Sequence, residues 1–141
     1  MTMKIYNGNN IILGRLASLA AKDVLLGEEV AIVNCENVLI SGNKARTFEV
    51  QRNRYDRRGY PLKSPNLSRT PDRFVRRAIR GMLPWKISRG KEAYRHILCY
   101  RGIPESFQGK EMIAPIKESS AKLPTLKMIT VGNLCKQLGG K

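Results

Sequence analysis

An α/β fold is what the opening of this chain predicts, and three observations carry the prediction. Lys4-Ile5-Tyr6-Asn7 is a short apolar strand, a helical apolar period runs over residues 11 to 26, and Val30-Ala31-Ile32-Val33 is a continuous apolar strand of the kind buried on both faces. A strand, helix and strand in this order favour a parallel sheet with a right-handed crossover. With 141 residues, 42% of them hydrophobic, the chain can bury a proper core, so residues 1–141 are expected to form a single domain.

The elements follow in order. Gly8-Asn9-Asn10 is a turn, after which Ile12, Leu13, Leu16, Ala17, Ala20 and Val24 recur at helical spacing. Gly27 suits a left-handed helix end, where a side chain would be strained. Val38-Leu39-Ile40 is a third extended piece directly after the second strand. Ser41-Gly42-Asn43 then supplies a turn with capping residues, and a helix over 44 to 55 would turn Ala45, Phe48 and Tyr55 inward. Residues 57 to 68 mix basic side chains with Gly, Pro and Ser, which reads as an exposed connection that orders on a partner. Thr70-Pro71-Asp72 is a helix start, with a hydroxyl cap, proline at the first helical position and an early acid, and Pro84 stops that helix. Ser88 would cap a short helix to about His96, and Ile97-Leu98-Cys99-Tyr100 is the best later strand. The stretch 102–127, with Pro104, Pro115 and Pro124 and few apolar anchors, is expected to lie extended over the surface. A last strand and short helix fit 127 to 138.

Charge is the strongest functional signal. Seventeen of the 26 Lys and Arg residues fall in residues 42–101 against four carboxylates, so this segment carries +13 of the chain's +15. Such asymmetry points to a polyanion, most plausibly nucleic acid. In the helix opened by Pro71, Phe74, Val75, Ala78, Ile79, Met82 and Leu83 cover one half, while Arg73, Arg76, Arg77 and Arg80 form a stripe on the other. Solvated helix faces usually alternate sign, and this one does not. Its one acid, Asp72, sits where a helix start favours negative charge. Arg52, Arg54, Arg57, Arg58 and Arg69 add further guanidinium groups beside Tyr55 and Tyr60, whose rings suit unpaired bases, although Tyr55 reads first as a helix anchor and Trp85 as a packing residue.

Catalytic constellations are missing. The carboxylates are few and scattered, and His96, the only histidine, falls among apolar residues where a core or interface role is the ordinary one. Cys35, Cys99 and Cys135 are odd in number and widely spaced, so they are expected to be reduced, and His96 with Cys99 lacks the rest of a metal-ligand set. Ile40-Ser41-Gly42-Asn43-Lys44 stands where backbone amides can hold a phosphate, yet a P-loop would need glycine at Asn37 and a hydroxyl at Ala45. No apolar run approaches the roughly 20 residues of a membrane span and no export signal is present, so a cytoplasmic protein is expected.

Three motifs resemble one family: Leu13-Gly14-Arg15-Leu16-Ala17-Ser18, Ile40-Ser41-Gly42-Asn43-Lys44 and Arg80-Gly81-Met82-Leu83-Pro84. The similarity to large-subunit ribosomal protein thirteen runs from about residue 4 to Tyr100-Arg101-Gly102-Ile103-Pro104. Asn53-Arg54-Tyr55 to Arg58-Gly59, and Lys86 to Gly90, look like its archaeal and eukaryotic branch. Asn7-Gly8 departs from the acidic residue and alanine of many members, and no function is read into that turn. The resemblance implies a three-layer α/β/α domain around a parallel sheet of about four strands, and a structural role in the large ribosomal subunit. It further implies partners in large-subunit rRNA and neighbouring ribosomal proteins, with no cofactor, no membrane and no small-molecule substrate. Arg15, Lys44, Arg76, Arg80, Lys86 and Arg89 lie in or beside the matching motifs and become expected rRNA contacts. An RNA-processing enzyme and a DNA-binding architectural protein are the alternatives from other classes.

Overall fold

A computed structural model describes residues 3–57, 67–115 and 119–140. Strand β1 (Met3–Asn7) leads through helix α1 (Leu13–Leu25) to β2 (Glu29–Val33), and the two strands pair in parallel with Ile5 opposite Ala31. The crossover works because α1 keeps Leu16, Ala17, Ala20, Ala21 and Val24 buried on one side. Gly27, at φ +94°, ends it in the left-handed region as its position suggested. After helix α2 (Lys44–Asp56), helix α3 (Pro71–Met82) and helix α4 (Ser88–Arg95) comes β4 (Ile97–Cys99), which joins β2 on its other side, also in parallel. The fully buried Val30, Ala31, Ile32 and Val33 therefore form the central strand.

The parallel sheet has three strands among the described residues. The expected fourth, β3 (Leu39–Ser41), leaves it: Asn34 adopts φ +55° and a 3-10 turn (Cys35–Asn37) swings the chain away, so β3 pairs antiparallel with β5 (Met128–Thr130). Helix α5 (Val131–Gln137) follows at once, its first turn capped by the Thr130 hydroxyl, which accepts from the Asn133 N–H at 3.2 Å.

The sheet's two faces are covered differently. Tyr6, Val30, Ile32 and Ile97 share one core with α1, α3, α4 and α5. Ile5, Ala31 and Val33 face the other way and are covered by Phe107, Tyr100 and Met112, with Phe107 on a 3-10 turn (Glu105–Phe107). Among the described residues this second cover is a turn and extended chain rather than a helix layer. The chain after Phe107 also packs on the sheet edge: Ile113 donates to the Ile5 carbonyl at 2.8 Å and accepts from Asn7 at 3.1 Å.

Local details also depart from expectation. Helix α2 buries none of its residues, Ala45 included, while Phe48 and Tyr55 are half-buried, because no element of the core lies against it closely enough. Thr70 occupies the cap position of α3, yet its hydroxyl meets Ser68 Oγ at 2.9 Å. Ile87 caps α4 in place of Ser88, which is already the first helical residue. Met82 is exposed and Leu83 alone carries the core contact at that end. Of the core or interface role expected for His96, the core half is not what the fold gives: its side chain is half-exposed, with Nδ1 3.6 Å from Glu29 Oε1.

Candidate nucleic-acid interface

Charge and geometry meet on α3. Val75 and Ile79 are fully buried between α1 and β4, with Phe74 and Ala78 half-buried beside them, and this fixes the helix about its own axis. The arginine side must then face outward, and Arg73, Arg77 and Arg80 are exposed there. Among the described residues no carboxylate pairs with any of the three. Asp72 lies 4.0 Å from Arg101 Nε instead.

Arg76 shares the row but not the exposure. Its guanidinium lies 4.5 Å from the centre of the Tyr94 ring, Nη2 donates to the Tyr94 carbonyl at 3.5 Å, and Nε is buried without a hydrogen-bond partner among the described residues. Tyr94 meets Trp85 edge to face at 5.2 Å, and Arg80 stands 4.1 Å over the Trp85 ring. Arg76, Tyr94, Trp85 and Arg80 thus form a ladder from α3 to α4 in which two rings lie edge to face between two cations, each cation–π contact worth about 0.5–1 kcal/mol where exposed. Trp85 is a packing residue, as its place after Pro84 suggested.

The motif residues are spread around this helix. Arg15 is exposed in the first turn of α1, near the far end of α3, since Ser18 Oγ donates to Met82 Sδ at 3.4 Å. Arg89 reaches the other end of α1 and donates to the Leu25 carbonyl at 3.1 Å, satisfying a group that helix geometry leaves unpaired. Ten residues of helix separate Arg15 from Leu25, about 15 Å. Lys86 is exposed beside Trp85.

A second group surrounds α2, whose start is fixed by Asn43 Oδ1 accepting from the Ala45 N–H at 3.0 Å. Arg52 pairs with Asp56 at 3.5 Å, Arg57 is exposed at the helix end, and Arg54 shares a groove with Arg77 of α3. Arg69 lies 5.6 Å from the centre of the Tyr55 ring, whose hydroxyl donates to the Ser68 carbonyl at 2.7 Å. Burial pushes the Tyr55 phenol above its usual range against the pull of Arg69 and Arg77, so it remains a donor at neutral pH. Lys44 shares another groove with Lys136 of α5. Arg58 and Tyr60 lie outside the described residues.

Arg46 of α2 and Lys136 of α5 are exposed as well and were not among the expected contacts; Lys136 lies in residues 102–141, which carry only +3. Two of the thiols are held in the neutral form, which is the poorer nucleophile. Contact with Cys35 and then burial raise Cys99, and burial pushes Cys135 up to about 11. No helix among the described residues is long and apolar enough to cross a membrane.

The family model for ribosomal protein L13 matches residues 1–106. The large ribosomal subunit protein uL13 of Methanococcoides burtonii is 42% identical over 142 aligned positions, 99% of each chain. Its counterpart in Methanocaldococcus jannaschii is 41% identical over 99% of each. That of Archaeoglobus fulgidus is 40% identical over 96% of this chain and 86% of its own length. Matched by the family model over most of its length and by relatives this similar along nearly all of it, the chain belongs to the ribosomal protein L13 family.

Proposed function

We propose that the chain is a structural constituent of the large ribosomal subunit, binding large-subunit rRNA through its arginine and lysine face and supporting subunit assembly. The observation that carries this reading is the row of Arg73, Arg77 and Arg80, exposed, without carboxylate partners among the described residues, on a helix the core holds fixed. Each guanidinium offers a fork of donors to phosphate oxygens, and neutralising several phosphates releases condensed counterions. Arg80 is already oriented by Trp85, so less side-chain freedom is lost on binding. Arg15, Lys44, Arg52, Arg54, Arg57, Arg58, Arg69, Lys86 and Arg89 extend the contact surface, with Arg76 and Arg89 first serving as ties between helices.

In this reading residues 1–141 act as one domain with an RNA-facing segment at 42–101, in the cytoplasm within the ribosome. Neighbouring large-subunit proteins are its protein partners, and no turnover, cofactor, membrane or small-molecule substrate enters. The names of its relatives, all large ribosomal subunit proteins, support the assignment. Sucrose-gradient sedimentation of native cell extract at moderate and high salt, following the chain by immunoblot, tests it. Stoichiometric retention in the large-subunit peak at high salt is the expected result. A free pool at the gradient top in both salts would defeat it.

A further inference from the structure

Helix α2 stands off from α3, and between them runs a groove of about 290 Å³. Tyr55, Phe74 and Ala78 give it apolar walls, and Gln51, Arg54 and Arg77 add an amide and two guanidinium groups. A thirteen-residue helix that buries none of its own residues is not explained by the core it touches. We propose that this groove takes a single unpaired nucleotide of RNA, its base against the apolar walls and its phosphates on Arg54 and Arg77; the proposal rests on the RNA-binding reading above.

Size and chemistry choose this occupant. The volume lies at the lower end of the range for small-ligand sites, fitting one ring system and excluding a duplex. A base presents a flat face that stacks on aromatic and aliphatic walls whatever its identity. Tyr55 is a prepared wall, because its hydroxyl is held by the Ser68 carbonyl and the ring cannot swing away. Arg54 and Arg77 have no carboxylate within ion-pair distance among the described residues, so an anion entering between them meets two unpaired cations. Gly81, at the edge of the groove, has nothing among the described residues within 4 Å of where a Cβ would stand, and the mouth is open to them on that side.

The test uses the full chain with two probes, a short oligouridine and a blunt RNA duplex, and two variants, Gly81→Leu and Ala78→Leu, that add bulk at the groove without altering charge. Anisotropy titrations should show oligouridine affinity falling about tenfold in each folded variant, with duplex affinity and both salt slopes unchanged. Ultraviolet crosslinking of oligouridine to the unaltered chain should map to the peptides holding Tyr55 or Phe74. Crosslinks confined to Trp85 and Tyr94, or variants that bind oligouridine as the parent does, would overturn the groove assignment while leaving the arginine face intact. Failure of the parent chain to bind either probe would instead overturn the RNA-binding reading itself.

Discussion

Arg73 and Arg76 stand almost one turn apart on α3 in opposite surroundings, one in solvent and the other pressed between Tyr94 and the core. Arg76→Gln should cost about 1–2 kcal/mol in urea unfolding, since a ring contact and a hydrogen bond go together, whereas Arg73→Gln should stay within about 0.5 kcal/mol. Glycines divide in the same way. A Cβ on Gly90 would sit 2.2 Å from the Pro84 carbonyl oxygen, and backbone cannot move aside cheaply. Gly90→Ala should therefore lose about 2 kcal/mol or more, visible as a lowered melting temperature. Gly14, exposed in α1 with nothing near it among the described residues, should gain about 0.5–1 kcal/mol on becoming Ala. Cys135 supplies a pH dependence. Its thiol ionises at about 11 in the fold against 9.0 ordinarily, so above pH 9 the unfolded chain releases its proton first. Its contribution is complete below pH 9 and is lost as pH rises through about 11, and urea midpoints across that window should flatten in Cys135→Ala.

At the scale of elements, α3 gives the sharpest expectation. Replacing Arg73, Arg77 and Arg80 together with Gln should weaken RNA binding and reduce the log–log salt slope by about two, with far-ultraviolet circular dichroism unchanged. Unchanged affinity and slope would remove the stripe from the interface. Arg76 is left out because its loss would disturb the α3–α4 contact. This helix was readable beforehand because six apolar and four basic residues obey one period over about three turns. Helix α2 was readable in extent but not in environment: Ala45, Phe48 and Tyr55 share a side, yet an inner side exists only where another element packs closely. The caps show the same limit. Thr70 and Ser88 have the right hydroxyl, but Ser68 engages the first and a one-residue shift of the helix start displaces the second.

For the molecule as a whole, the tail decides whether the sheet is covered. Phe107 closes the face formed by Ile5, Ala31 and Val33, so Phe107→Ala should cost about 3 kcal/mol in thermal or urea unfolding. A chain ending at Gly102 should expose that face and bind a hydrophobic dye, as the full chain should not. The part played by residues 105–113 in covering the sheet was invisible in the sequence, because Phe107 and Met112 looked like isolated apolar residues among prolines and charges.

What the sequence by itself determined is short-ranged or additive: the period of α1 and α3, the buried character of β2, the left-handed end at Gly27, and the concentration of charge in residues 42–101. These depend on neighbours within a turn or two, or on a simple count. Tertiary structure alone decided that β3 pairs with β5, that Arg76 is held against a ring while Arg73 is exposed, and that Arg89 completes α1 from 64 residues away. Each of those outcomes is a contact between segments distant in the chain, set by how packed elements leave room for one another, and local periodicity carries no record of it.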